Sequence, residues 1–218
     1  MPHSLPSSRW TGLFAAFILL VLLASLAVSI GSVPIATGSI WVTILDHLGL
    51  VERPNEFHQT LDTIIWDIRI PRVLGAIAIG HSLALAGATY QGLFRNPLAD
   101  PYLIGVSSGA GLGATIVLVT SVPLATLGIP TLPFAAFIGG MLAVSAAYVV
   151  ARKSGAVSLG LLILGGVAVG SFFGAATYFL MITSEPDVKP LISWLLGGLV
   201  GVDWKSLGFI SPYVAATT

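Results

Sequence analysis

Residues 159–182 read LGLLILGGVAVGSFFGAATYFLMI, a run of 24 residues without a charged side chain. A helix of about 20 apolar residues is long enough to cross the hydrocarbon core of a bilayer. The run does not alternate between apolar and polar residues, so it favours a helix over a barrel strand. We therefore predict that this segment is a transmembrane helix.

The composition of the whole chain agrees with a membrane location. Of the 218 residues, 56% are apolar and only 8% are charged, whereas soluble domains carry about 25% charged residues. The nine basic and nine acidic residues cancel, so nothing indicates nucleic-acid binding. Cysteine is absent from the sequence, which excludes disulfides and thiolate metal sites. The predicted fold class is an all-α, polytopic transmembrane bundle.

Four further apolar runs have a comparable length. The first run is longer than the apolar core of a signal peptide, about 7–15 residues, and we interpret it as a retained span. Residues 31–72 are predicted to form a long polar loop. Residues 192–200 are apolar but too few to cross the membrane, which favours a re-entrant or interfacial helix. A sixth apolar run opens near Leu207. The five predicted spans are residues 12–30, 73–94, 102–122, 134–151 and 159–182.

The basic residues of two short turns give the predicted orientation. Arg95 lies in one turn, and Arg152 and Lys153 lie in the other. Short basic turns favour the cytoplasmic side, which makes the N-terminus cytoplasmic. Arg69 and Arg72 then face the outer side, where basic residues are unusual, and we expect them to contact a partner.

Small residues recur at every fourth position in three predicted spans. This spacing places them on one helix face, where two backbones can approach closely. We interpret the stripes as helix-packing surfaces rather than as a pore. They are Gly105, Gly109 and Gly113; Gly166, Gly170 and Gly174; and Gly80, Ala84, Ala88 and Gly92.

No sequence pattern typical of an enzyme is present. The chain has no Gly-x-x-x-x-Gly-Lys phosphate loop, so any ATP that drives it binds to another chain. Ser107 and Ser108 have no base nearby in the sequence that could activate them. His81 lies inside a span without a second ligand at metal spacing, and we expect it to pack or hydrogen-bond to a neighbouring helix. No metal and no cofactor is expected in this chain.

The segment YQGLFRNPLADP, residues 90–101, is the most irregular motif between two spans. Pro97 and Pro101 interrupt the helix, and Asn96 and Asp100 can cap the broken ends. One interpretation is a rigid helix hairpin. The other is a constriction on a translocation path, because irregular backbone at membrane depth is tolerated where it lines a cavity.

Five motifs together resemble the permeases that import iron siderophores and vitamin B12. They follow one another in the order of that family over about residues 10–210. The motifs are RIPR at 69–72, QGLFRNPLADP at 91–101, GVSSGAG at 105–111, LGGVA at 164–168, and WLLGG at 194–198 followed by VDW at 202–204.

The resemblance implies a transport function with several partners. Members of the family have ten transmembrane helices, and two identical or different subunits surround a central path. Two cytoplasmic ATPase subunits supply the energy, and an extracytoplasmic binding protein delivers the cargo. The expected function is import of an iron(III) siderophore or a similar metal chelate across the bacterial inner membrane by alternating access. The chain itself would be a permease subunit and not an enzyme.

The resemblance also implies roles for individual residues. Arg69 and Arg72 would dock on acidic residues of the binding protein. The other positions belong to two cytoplasmic gates and to the translocation path. The gates are Asn96, Pro97 and Leu98 in one turn and Ser158 and Leu159 in the other; the path residues are Gly165, Gly166, Gly170, Trp194 and Gly197.

Several alternatives remain open from the sequence. The same family includes importers of cobalamin and of haem. A secondary transporter would need acidic residues in its spans, and none of the nine acids lies in a predicted span. Because family members are longer, residues 1–218 are interpreted as one permease domain that is truncated where the sixth span begins. We expect such a chain not to couple ATP hydrolysis to transport, and it could be a non-transporting remnant.

Overall fold

The structure is a computed structural model that describes residues 7–52, 59–120, 122–123, 125–126, 129–153, 158–184 and 188–216. It is almost entirely helical in these ranges, apart from the two-residue antiparallel strands β1 (Ala125–Thr126) and β2 (Ile129–Pro130). The helices in chain order are α1 (Ser7–Ser29), α2 (Thr37–His47), α3 (Gln59–Asp62), a π-helix (Thr63–Arg69), α4 (Ile70–Phe94), a 3-10 helix (Pro101–Ile104), α5 (Val106–Val119), α6 (Thr131–Lys153), α7 (Leu159–Thr183), α8 (Val188–Leu195) and α9 (Trp204–Ala216).

Four of the five predicted spans are confirmed as long apolar helices. Among the described residues, the segments with the length and composition to cross a membrane are Trp10–Ser29, Gln59–Phe94, Thr131–Arg152 and Leu159–Thr183. The second of these is 36 residues long, because α3, the π-helix and α4 continue one another without a break.

The third predicted span, residues 102–122, is not one continuous helix. Its first residues form the 3-10 helix, and Gly105 then adopts a left-handed backbone with a φ of 83°. The following helix α5 has 14 residues, a length of about 21 Å against a hydrocarbon core of about 30 Å. The third run is therefore still an apolar helix, but it is interrupted near its start, because hydropathy does not register a backbone break at a glycine.

The predicted polar loop, residues 31–72, is largely helical where the structure describes it. Helix α2, the short α3 and the π-helix all lie within it. Ile40 of α2 is 1% exposed and Ile65 of the π-helix is fully buried, and both belong to one apolar cluster with Val28, Ile35 and Ile70. The loop prediction was wrong because its acidic and basic residues masked this apolar helix face. Residues 53–58 lie outside the described residues.

The contacts divide the chain into two compact units, Met1–His81 with Leu199–Thr218, and Ser82–Gly198. The apolar cluster around Ile40 and Ile65 is the core of the first unit. Helices α5, α6 and α7 pack on one another in the second unit.

Backbone-to-backbone contacts at glycines hold the second unit together. A Cβ atom on Gly139 of α6 would overlap the carbonyl oxygen of Gly109 in α5, and a Cβ on Gly113 would overlap that of Ala135. A Cβ on Gly165 of α7 would lie 2.8 Å from the carbonyl oxygen of Ala147. Such approaches are possible only between small residues, and they add many close dispersion contacts.

The packing role of the small-residue stripes is thus confirmed in part. Gly105, Gly109, Gly113, Gly166 and Gly170 all lie against neighbouring helices. By contrast, beyond the backbone of its own helix and its chain neighbours, no described atom lies within 4 Å of the Cβ position at Gly80, Gly92 or Gly174.

The two shorter helices begin earlier than the sequence suggests. Helix α8 starts at Val188 and ends at Leu195, which confirms a short helix near the predicted residues 192–200. Helix α9 starts at Trp204 rather than near Leu207.

We predict that Gly139→Ala destabilises the chain, whereas Gly174→Ala does not. Alanine favours a helix over glycine by about 1 kcal/mol at either site. At Gly139 the added methyl group meets the Gly109 carbonyl, and overpacking of this kind costs roughly 1–3 kcal/mol. The measurement is thermal unfolding of each variant in detergent. Equal midpoints for the two variants would contradict the close α5–α6 contact.

Candidate functional site

The Arg-Ile-Pro-Arg motif lies where the π-helix passes into α4. In the π-helix each N–H donates five residues back, and the N–H of Ile70 accordingly bonds to the carbonyl oxygen of Ile65. The next donor would be Pro71, which has no N–H. The carbonyl oxygen of Trp66 is therefore left without a donor from its own helix. It accepts instead from the indole N–H of Trp204, at an N–O distance of 2.9 Å.

Arg69 is bound to the end of α1. Its Nη1 atom donates to the carbonyl oxygens of Val28 at 2.7 Å and Ser29 at 3.1 Å, and its Nη2 atom donates to that of Val33. The last carbonyls of a helix lack partners within the helix, and a cation there also interacts favourably with the helix dipole. Arg69 thus joins the C-terminal end of α1 to the start of α4.

Arg72 is bound less completely than Arg69. Its Nη2 atom donates to the carbonyl oxygen of Val200 at 3.1 Å. Its Nε atom is buried and has no hydrogen-bond partner among the described residues. A buried N–H donor of this kind favours an additional acceptor, because leaving it unbonded costs about 1–3 kcal/mol.

Both arginines line one pocket of about 300 Å³. Guanidinium groups recognise carboxylates and phosphates through paired N–H donors, so the chemistry of this pocket suits an anion. Arg69 and Arg72 therefore lie beside the same pocket. Their role in docking stays a prediction. The other lining residues are Ala27, Ile30, Gly31, Ser32, Val33, Ile64, Ile68 and Val73.

An aromatic cluster next to the motif was missed by the sequence analysis. The ring of His47 stacks on that of Trp66, with centroids 3.9 Å apart and planes 4° apart. His47 Nε2 also lies 3.1 Å from a carboxylate oxygen of Asp62. Trp66 in turn contacts Trp204 at a centroid distance of 5.0 Å. These residues are spread over three parts of the sequence, and no spacing rule connects them.

Asp203 caps the first turn of α9. Its carboxylate accepts from the hydroxyl of Ser206 at 2.6 Å and from the Ser206 backbone N–H at 2.8 Å. These two hydrogen bonds, from the hydroxyl first, hold the pKa of Asp203 below its usual value, and nearby Lys205 adds a smaller effect in the same direction. The cap fixes the first turn of α9, which begins with Trp204.

The first predicted gate is a capped turn at the end of α4. Asn96 accepts the backbone N–H of Leu98 on its side-chain oxygen at 2.9 Å, and Arg95 has a positive φ of 48°. Pro97 lies between these two bonded residues. The side chain of Leu98 is 81% exposed. The turn is therefore fixed internally while it presents an apolar side chain, as a gate requires, but the gating role stays a prediction.

The second predicted gate is the start of α7. Ser158 is the N-cap residue, and its hydroxyl accepts from the backbone N–H of Leu161 at 3.3 Å. Leu159 is the first residue of the helix. Residues 154–157 lie outside the described residues, so only the end of this turn, at Ser158, is described.

Three of the predicted path residues lie at helix contacts. Gly165 and Gly166 are buried, the first against α6 and the second against the 3-10 helix. The Cβ position of Gly170 lies 3.3 Å from the hydroxyl oxygen of Ser108. The exposed face of α7 carries larger side chains, including Phe172 at 70%.

The two other predicted path residues belong to the end of α8. Trp194 is half-buried in the helix, and Gly197 is exposed with a left-handed φ of 76° that ends it. A path-lining role stays a prediction for all five residues.

Metal-binding residues do not cluster in the described parts of the chain. No group of three or more His, Asp or Glu side chains there could hold a metal ion. His81 lies on α4 and lines an apolar groove of about 500 Å³ together with residues of α1 such as Leu20 and Ala24.

Residues 18–218 match the FecCD transport family. The chain belongs to this family. Within it, the chain is 39% identical over 156 residues to the cobalamin import permease BtuC of Halobacterium salinarum, covering 72% of this chain and 41% of that protein. It is 31% identical over 197 residues to the Fe(3+)-citrate import permease YfmE of Bacillus subtilis, covering 90% and 55%.

A further relative and a solved structure are also similar to this chain. The vitamin B12 import permease BtuC of Escherichia coli O127:H6 is 33% identical over 200 residues, covering 90% of this chain and 54% of that protein. A solved metal-chelate type ABC transporter in an inward-facing conformation superposes with a TM-score of 0.73 at 26% identity, covering 94% and 59%. The chain thus spans about half the length of these relatives.

These matches confirm the family and the helical fold of a membrane transport protein. A multi-pass membrane location follows from the family and the four long apolar helices. The orientation of the N-terminus stays a prediction.

We predict that Arg69→Met destabilises the first unit, whereas Arg152→Met on exposed α6 surface leaves its stability unchanged. Methionine has a similar length but cannot donate to the carbonyls of Val28, Ser29 and Val33. Hydrogen bonds to a charged group contribute about 1.5–3 kcal/mol, so the loss should be at least of that order. Thermal unfolding in detergent measures it, and an unchanged midpoint for Arg69→Met would contradict the clamp between α1 and α4.

Proposed function

We propose that this chain forms the front part of the permease subunit of an ABC importer for an iron(III) siderophore or a similar metal chelate. The observation that carries the proposal is the arginine pocket at the π-to-α junction, in a chain that belongs to the FecCD family. The Fe(3+)-citrate permease and the metal-chelate transporter among its relatives support this class of cargo. The proposed location is the bacterial inner membrane, with the N-terminus in the cytoplasm.

The proposed partners are those of a complete ABC importer. A second permease subunit, identical or different, encloses the path, and two cytoplasmic ATPase subunits bind and hydrolyse ATP. A binding protein docks on the outer face and delivers the chelate. This chain needs no cofactor of its own, because no bond of the cargo is broken during transport.

Docking depends more on Arg72 than on Arg69 in this proposal. The Arg69 guanidinium already donates to three carbonyl oxygens. Arg72 has one such bond and a buried Nε atom without a partner. A carboxylate of the binding protein that enters the pocket can accept from Arg72 and gains an attractive interaction with Arg69 as well.

Transport then proceeds by alternating access. ATP binding and hydrolysis in the partner subunits shift the permease pair between an outward-open and an inward-open arrangement. The turn at Asn96, Pro97 and Leu98 and the turn at Ser158 and Leu159 act as the inner gates. Their capped backbones are suited to this, since a gate must keep its shape while the helices around it move.

Cobalamin is the second candidate cargo. Two of the relatives described above are cobalamin or vitamin B12 permeases, and one of them has 39% identity. ATP-dependent uptake by the assembled transporter in proteoliposomes distinguishes the two, with radiolabelled ferric citrate and radiolabelled cobalamin offered in parallel. Uptake of the ferric chelate supports the proposal, and uptake of cobalamin alone overturns the cargo assignment. Uptake of either cargo without ATP, driven by a cation gradient, would overturn the ABC mechanism.

We predict that Arg72→Glu weakens docking of the binding protein by about tenfold or more at low salt, which corresponds to about 1.4 kcal/mol. The reversed charge removes the donor and repels an incoming carboxylate. The matched control is Lys205→Glu, which reverses an exposed cation of α9 outside the pocket. Surface plasmon resonance on the transporter in nanodiscs gives both affinities. An Arg72→Glu affinity equal to that of the control would remove the docking role.

A further inference from the structure

Residues 199–204, which we term the strap, approach the start of α4 at three points. At the first point, the carbonyl oxygen of Val200 accepts from Arg72 at 3.1 Å. At the second, the side chain of Val202 lies directly over Gly75, where an added Cβ would be 3.0 Å from the nearer methyl carbon. A larger residue than glycine at position 75 would therefore push the strap away from α4.

The third point is the hydrogen bond from the Trp204 indole to the Trp66 carbonyl. It gives the Trp66 carbonyl the donor that Pro71, which has no N–H, cannot supply. The indole ring also contacts the Trp66 ring at 5.0 Å. Trp204 is also the first residue of α9, whose first turn is capped by Asp203.

We propose that Trp204 is a positioning residue for Arg72. Its indole holds the strap on the π-helix, and the strap places the Val200 carbonyl against one edge of the Arg72 guanidinium. That single bond fixes the plane of the group, so that Arg72, which lines the pocket, keeps its other N–H donors for an acceptor there. The inference rests on the proposed docking function, and it gives a role to the Val-Asp-Trp motif that the docking function does not use.

The physical effect is one of pre-organisation. An arginine side chain has many rotamers, and ordering it during docking costs affinity. Holding the guanidinium in place before the partner arrives removes part of this cost. Loss of the indole N–H should therefore weaken docking without removing any group that touches the partner.

The central experiment is a double-mutant cycle on docking in the assembled transporter. Trp204→Phe retains an aromatic ring but removes the N–H donor. We expect it to weaken docking of the binding protein three- to tenfold, and Arg72→Ala to weaken it at least as much. In the Arg72→Ala background, Trp204→Phe should have no further effect, since it acts through Arg72. Trp10→Phe is the matched control, because Trp10 is 73% exposed on α1, and it should leave docking unchanged.

The outcomes separate the two proposals. If Arg72→Ala leaves docking unchanged, the docking function fails. If Arg72→Ala weakens docking while Trp204→Phe does not, or if Trp204→Phe weakens docking equally in both backgrounds, the positioning role fails and the docking function stands.

A spectroscopic measurement tests the strap without the binding protein. Spin labels at Leu74→Cys and Gly201→Cys, in a cysteine-free background, report the distance between α4 and the strap by pulsed EPR. We expect a broader distance distribution with Trp204→Phe than with Trp10→Phe, and an unchanged distribution would overturn the proposal. Should Trp204→Phe fail to assemble, Val202→Ala removes the contact with Gly75 and is expected to broaden the distribution in the same direction.

Discussion

The missing N–H of Pro71 is the constraint on which the first unit depends. In an α-helix, proline collides with the carbonyl four residues earlier, and the wider π-turn before α4 removes this collision. It also leaves the Trp66 carbonyl without a donor, and Trp204 supplies one from a segment 138 residues away in sequence. Without this bond the Trp66 carbonyl would have no donor, and an acceptor without a donor costs free energy wherever water cannot reach it.

The two arginines that flank this proline have different structural environments. Arg69 is bound by the last carbonyls of α1, whereas Arg72 lines a pocket and has a buried N–H donor without a partner among the described residues. In the proposed docking function, the same motif contributes one cation to the stability of the fold and another to recognition. This division is not visible in the motif itself, where the two residues are chemically identical and three positions apart.

The second unit is governed by a different interaction, the close approach of backbones at glycines. Gly109 and Gly139 bring α5 and α6 together, and Gly165 brings α7 against Ala147. Because lipid is as apolar as leucine, helices in a membrane gain more from close packing than from burial of apolar surface. The larger side chains of α7, such as Phe172, are then left on its exposed face. In the proposed assembly that face is available to lipid or to another subunit.

The sequence by itself determined the helical membrane fold, because uncharged runs of this length have no other stable structure in a bilayer. Its motifs also determined the family, and its glycine stripes most of the close helix contacts. Only the tertiary structure decided the break at Gly105, the helices within residues 31–72 and the different hydrogen bonding of Arg69 and Arg72. Each of these depends on backbone conformation or on a hydrogen bond between distant residues, such as Trp204 with Trp66. Hydropathy and local spacing contain no information about either.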